Sequence, residues 1–161
     1  MTESKIPDIQ AGFEKNFSNL NVAMVGADFI HLTAGMMDSG KSISYEQYAV
    51  DDENIGMIRR ILQGITITED TPALDVIRRV GPGGHFVIQE HTLEHMSELY
   101  YPELSERCNF EVWEEKGHPS MLKRANSRIE QILDENTEAA LDVELIDGIK
   151  AAFPGFQEAF S

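Results

Sequence analysis

Cysteine occurs once, at Cys108. That excludes an internal disulfide and a cysteine-rich zinc site, and it agrees with a reducing compartment. Basic residues are scarce as well: 13 Lys and Arg stand against 28 Asp and Glu, for a formal net charge of −15. Such a field repels phosphate backbones and anionic lipid headgroups, so neither nucleic acid nor a membrane surface is expected as a partner. No apolar run approaches the roughly 18 residues needed to cross a bilayer. The opening "MTESKIPDIQ" is neither basic nor apolar enough for a secretory signal, so the expected location is the cytoplasm. Repeats, low-complexity tracts and Gly/Ser linkers are missing too, and 161 residues are enough for one hydrophobic core.

What is present reads as helices joined by short strand-like pieces. Pro7 and Asp8 open a helix that carries Phe13, Phe17, Leu20 and Met24 on one face and ends near Gly26. "ADFIHLTAG" (27–35) is a short apolar run led by β-formers and closed by Gly35, the pattern of a buried strand with His31 at its C-terminal end. Asp51 is expected to cap a second helix with Ile55, Ile58 and Leu62 as its stripe and Gly64 as its stop. "GITIT" (64–68) reads as a brief strand. Thr71 and Pro72 open a helix through "PALDVIRRV", which ends at Gly81-Pro82-Gly83-Gly84. Further helices are predicted over 92–100 behind Thr92, around Trp113, and along Leu122, Ala125, Ile129, Ile132 and Leu133. A last one runs through Leu145, Ile146, Ile149 and Phe153 to Pro154-Gly155. So few strands cannot make a self-sufficient parallel sheet, which leaves an essentially helical domain or a part of something larger.

"GPGGHFVIQEHTLEH" (81–95) holds three of the five histidines. His91 and His95 are four apart and share a helix face, the spacing with which two imidazoles hold one zinc ion, and His85 could supply a third ligand. The zinc-protease pattern needs glutamate directly after the first histidine; Thr92 stands there, and Glu94 faces elsewhere. Ordinary packing at a helix start, with the histidines satisfied by hydrogen bonds, is the competing reading. "GPGG" lacks the P-loop lysine and the full dinucleotide spacing, so it reads as a helix stop and turn, or as a turn where glycine admits a partner's backbone or a bulky ligand. The residues alone leave open a small stand-alone metalloenzyme built on His85, His91 and His95, and a non-catalytic helical interaction domain whose partner is a second copy of the chain.

Five segments, "TESKIPDIQAGFEK" (2–15), "GADFIHLTAGMMDSG" (26–40), "SYEQYAVDDENIGM" (44–57), "DVIRRVGPGGHFVIQEHTLEH" (75–95) and "FEVWEEKG" (110–117), together resemble the C-terminal part of the trimethylamine and glycine-betaine corrinoid methyltransferase family. The resemblance implies an α/β fold: residues 1–135 as the C-terminal third of a (β/α)8 TIM-type barrel, and 136–161 as a mostly helical C-terminal tail. In that family the trimethylamine members carry pyrrolysine, encoded by an in-frame amber codon, just ahead of the segment matching "TESK". Met1 is therefore expected to be an internal methionine of a longer protein, and the isolated chain is expected to be inactive.

The reaction so implied moves a methyl group from trimethylamine, or a related methylated or quaternary amine, to the Co(I) corrinoid of a cognate corrinoid protein, as in methylamine-dependent methanogenesis. No cofactor or metal is expected on the chain itself. Displacement at carbon requires a cationic amine so that the nitrogen leaves neutral, and a cation wants acidic or aromatic neighbours. The resemblance assigns His31, at the mouth of its strand, the catalytic role. Gly35 would give the adjoining loop room, Asp38 would supply negative charge, and Ser4 and Lys5 would lie beside the pyrrolysine position. Gly83, Gly84, His85 and His91 would line the cleft or face the docked corrinoid protein.

Overall fold

The computed structural model describes residues 1–135 and 142–153. They fall into two units, Met1–Ile129 and a second beginning at Glu130. In the first, α1 (Ile9–Met24) leads into an antiparallel hairpin of β1 (Met36–Met37) and β2 (Ser42–Ile43), paired Met36 to Ile43 and Met37 to Ser42. The hairpin loop is a 3₁₀ turn at Asp38–Gly40, and α2 (Tyr45–Gln63) follows. Three short helices come next, α3 (Leu74–Val80), α4 (Glu90–His95) and α5 (Phe110–Glu115). Helix α6 (Met121–Glu135) crosses the boundary between units, and α7 (Val143–Ala152) lies in the second. The helix stop predicted at Pro154-Gly155 falls outside the described residues. No helix among the described residues is long and apolar enough to cross a membrane.

Local chemistry explains where most helices begin. The Asp8 carboxylate accepts from the Ala11 amide at 2.9 Å, the Ser44 hydroxyl from Gln47 at 3.1 Å, and the Asn109 amide oxygen from Val112 at 3.0 Å, each satisfying an N–H that has no partner inside its helix. Gly64, with φ +63°, ends α2 where the pattern places its stop.

Three predicted helix starts are corrected. Helix α2 opens at Ser44, so Asp51 lies within it and is buried instead of capping it. Helix α3 begins at Leu74 behind Ala73, and the Thr71 hydroxyl accepts from the Thr68 amide at 2.9 Å rather than capping a helix. Helix α4 begins at Glu90, ahead of Thr92, with no side-chain cap. Both predicted strands outside the hairpin are corrected too. Residues 27–35 form no strand; the chain turns at His31 and Leu32, Leu32 takes φ +57°, and Phe29 is 79 % exposed. Residues 64–68 are likewise irregular, with Ile65 and Ile67 exposed. A strand needs a neighbour's backbone donors and acceptors, and the sheet among the described residues holds only β1 and β2.

Helices α1 and α2 pack against each other. The buried residues of α1 are Ala11, Lys15, Asn19 and Ala23, at steps of four, and those of α2 include Gln47, Asp51 and Ile58. Alanine lets the backbones approach, and the polar side chains between them meet. The predicted apolar face is a different one: Phe13 is 72 % and Phe17 66 % exposed, their rings stacked at 6.4 Å. Periodicity correctly marked an apolar face, yet that face is not the one buried here.

The segment after α4 is tied down by carboxylates. Glu53, buried on α2, accepts from the Leu104 amide at 2.5 Å and from the Ser105 amide at 3.0 Å and hydroxyl at 2.5 Å. Arg124 of α6 donates to the Leu104 carbonyl at 2.6 Å. Glu106 accepts from the amides of Arg107 and Cys108, each at 3.0 Å. Hydrogen bonds from the Cys108 thiol first, then from those amides, hold the Glu106 carboxyl at about 2 against an ordinary 4.5. Because the folded-state value is depressed, the stability it contributes is present above 4.5 and is lost as pH falls toward 2. Glu106→Gln is expected to flatten that acid limb in denaturation curves followed by circular dichroism; an unaltered limb would assign it to other carboxylates.

Candidate functional site

A buried ion pair organises the first site. Lys15 Nζ lies 2.5 Å from Asp51 Oδ2, the two side chains being 0 % and 1 % exposed, and it also donates to the Met36 carbonyl at 3.0 Å. Asp51 Oδ2 accepts from the Gly35 amide at 2.8 Å, and Oδ1 accepts from Gln47 Nε2 at 2.8 Å. One lysine and one aspartate, from two helices, thus clamp the backbone at Gly35 and Met36. Burying both charges is tolerable because each also has hydrogen-bond partners beyond the other.

The N-terminal segment lies along the hairpin loop that this clamp positions. The amides of Asp38 and Ser39 donate to the carbonyls of Ser4 and Thr2, each at 2.9 Å. Glu14 of α1 holds the segment from its other side, accepting from the Thr2 hydroxyl at 2.6 Å and the Glu3 amide at 2.8 Å. The Ser39 hydroxyl donates to the Glu3 carboxylate. Asp38, Ser39 and Gly40 take φ of +47°, +55° and +84° in succession. Two of these are not glycine, so the turn stores backbone strain that the surrounding bonds must hold. Gly35 has φ +69° and lies where an added Cβ would enter the Tyr48 ring. Nearby in sequence, the buried Thr33 Oγ1 has no hydrogen-bond partner among the described residues.

Four of the residues singled out from sequence therefore come together: Ser4, Lys5, Gly35 and Asp38. Asp38 is ion-paired, its Oδ1 3.1 Å from Lys5 Nζ. Ser4 is buried, with its hydroxyl 2.9 Å from both the Ile6 carbonyl and Asp8 Oδ1. His31 stands on the exposed turn, its ring 6.0 Å from that of Phe29, rather than at the end of a strand. Lys15, Gln47 and Asp51 were not anticipated. The one signal was a lysine and an asparagine on the stripe that Ala11 and Ala23 share.

A second concavity, a cleft of about 610 Å³, has Arg60, Thr71, His91, His95 and Glu98 in its walls. His95 Nδ1 is 2.5 Å from Glu98 Oε1, and its Nε2 is 3.1 Å from Asp70 Oδ2. These bonds, to Glu98 first and then to Asp70, push the His95 pKa above its ordinary value. His91 Nε2 is 3.1 Å from the Asp70 carbonyl and 3.7 Å from Asp70 Oδ2, and the two imidazole rings are 4.3 Å apart. Gly83, Gly84 and His85 are exposed and do not line this cleft. The close approach that glycine permits at position 84 is to the chain itself, since an added Cβ would meet the Val80 carbonyl.

With this geometry in view, comparison with known proteins places the chain. The family model described as Trimethylamine methyltransferase (MTTB) matches residues 1–153. The chain belongs to the trimethylamine methyltransferase family. It is 39 % identical over 146 residues to a glycine betaine methyltransferase of Desulfitobacterium hafniense, an alignment covering 90 % of the chain and 30 % of that relative. A trimethylamine methyltransferase MttB of Methanosarcina barkeri is 30 % identical over 159 residues, 99 % of the chain and 32 % of its own length. Another MttB, from Desulfitobacterium hafniense, is 35 % identical over 139 residues, covering 86 % of the chain and 28 % of the relative. The chain thus spans about a third of the length of these trimethylamine methyltransferase family relatives. Its match includes the Lys15–Asp51 clamp, the hairpin loop and the histidine cleft.

Proposed function

We propose that this chain forms the C-terminal part of an enzyme that removes a methyl group from a methylated amine and passes it to the Co(I) corrinoid of a separate corrinoid protein. The observation that carries the reading is the family match over residues 1–153. Two relatives are named for trimethylamine and glycine betaine, both methylated amines. In such a transfer the carbon–nitrogen bond breaks with its electron pair going to nitrogen, so the donor must be cationic beforehand. The acceptor supplies the nucleophilic electron pair, and the protein contributes alignment and exclusion of water.

On this reading the residues of the hairpin loop are positioning groups. The Lys15–Asp51 clamp holds Gly35 and Met36, and the Lys5–Asp38 pair fixes the N-terminal segment on the loop. His31, on the exposed turn ahead of it, is the polar group that reaches the donor. We further read residues 27–30 and 64–68, which lack strand partners here, as edges that join a (β/α)8 sheet, with the exposed Phe13 and Phe17 face covered by other parts of that barrel. Gly83, Gly84 and His85 remain candidates for the surface facing the corrinoid protein.

The test is amine-dependent methylation of cob(I)alamin, read from its absorbance, using the protein together with any segment encoded in frame ahead of Met1. Trimethylamine and glycine betaine serve as donors. Transfer with one of them is expected, and His31→Ala should slow it at least ~100-fold, the scale on which a positioned polar group contributes to catalysis. No transfer from any methylated amine would reject the function, and an unchanged rate in the variant would reject the role of His31.

A further inference from the structure

The cleft beside α2 offers chemistry that methyl transfer does not use. His91 and His95 lie one turn apart on α4 and turn their Nε2 atoms toward Asp70, which comes from the loop before α3. The three ligand-type atoms lie within 4.8 Å of one another. Bonds of about 2.0–2.1 Å to a tetrahedral zinc ion place ligand atoms roughly 3.3–3.5 Å apart. The two distances to Asp70 Oδ2, 3.1 Å from His95 and 3.7 Å from His91, bracket that spacing.

The surroundings fit as well. Glu98 accepts from His95 Nδ1 at 2.5 Å and keeps the proton there, so a metal ion would displace only the proton through which Nε2 bonds Asp70 at 3.1 Å. A carboxylate behind a histidine ligand fixes its tautomer and raises its basicity, the usual support of a metal-bound imidazole. His91 and His95 also line the cleft, so a fourth coordination position opens into it. Arg60, a cation in the wall of the cleft, has its guanidinium directed elsewhere, donating to the backbone carbonyls of Glu98 at 2.9 Å and Gly64 at 2.7 Å.

We propose that Asp70, His91 and His95 form a binding site for a single zinc-type divalent cation, with Glu98 as the group that orients His95. His85, the third histidine of the local motif, takes no part; the third ligand comes from Asp70, which precedes α3. The site is independent of the methyltransferase reading and stands or falls without it.

The experiment uses the whole chain, freed of metal by chelation, then titrated with Zn²⁺ by calorimetry and with Co²⁺ by absorption spectroscopy. One Zn²⁺ per chain is expected, together with the intense visible bands of tetrahedral Co²⁺. Asp70→Asn, His91→Ala and His95→Ala should each weaken binding by more than 10-fold, Glu98→Gln should weaken it about 10-fold without changing the stoichiometry, and His118→Ala should leave it unchanged. Asp70 is largely exposed, so its asparagine variant keeps the fold even if a histidine variant does not. Absence of binding overturns the proposal. So does binding that survives Asp70→Asn and His95→Ala, since the metal would then be held elsewhere and His95 would be only a protonated bridge between two carboxylates.

Discussion

Asp51→Ala is expected to lower the stability of the Met1–Ile129 unit by about 3–5 kcal/mol, the range observed when one partner of a buried ion pair is removed. The Lys15 ammonium, 0 % exposed, would lose its carboxylate partner and, among the described residues, keep the Met36 carbonyl. The Gly35 amide and Gln47 Nε2 would lose their acceptor in the same step. Replacing both charges, as Lys15→Met with Asp51→Leu, should recover much of the loss because no charge is then left buried without a partner. The recovery cannot extend to the Gly35 amide, which still lacks an acceptor. Urea denaturation followed by helical circular dichroism measures both effects. A cost for Asp51→Ala below about 1 kcal/mol would show that water reaches the pair and that the clamp is a surface interaction.

Gly35→Ala should cost about 3 kcal/mol through two separate mechanisms. One is the positive φ of +69°, which a residue with a Cβ adopts at a penalty; the other is collision of that Cβ with the Tyr48 ring. Pairing it with Tyr48→Ala relieves the collision and leaves the backbone penalty, so the two can be measured apart by comparing single and double variants. If the double variant were no more stable than Gly35→Ala after correction for the Tyr48 change, the ring would not be the obstacle. On the proposed function, Gly35→Ala would also slow methyl transfer, since the Gly35 amide anchors the loop to Asp51.

The helices and several of their boundaries were readable without coordinates because their determinants are local. Asp8 is one turn ahead of the amide it caps, and Gly64 carries the backbone conformation that ends α2 in its own residue. Where two local signals competed, reading failed. Ser44 and Asp51 are both good capping residues; Ser44 won, and the aspartate went into the interior because Lys15 was there to receive it. The run 27–35 has the composition of a strand, and composition cannot supply the neighbouring strand that a ladder requires. The histidine pair was visible from its four-residue spacing on α4. Its companion Asp70 was not, since nothing in a sequence tells which loop folds back over a helix.

Charge balance, helix periodicity, the cap at Asp8, the stop at Gly64 and the family motifs were settled by the order of the residues, for each depends on atoms within a turn or two or on composition alone. Which face of α1 is buried, that Lys15 meets Asp51, that residues 2–4 lie along the loop at 38–39, and that Asp70 joins His91 and His95 were set only by the folded arrangement. The physical reason is the cost of desolvation: a charged or polar group goes inside only where distant parts of the chain bring it a partner, and that pairing exists in space before it can be recognised in the sequence.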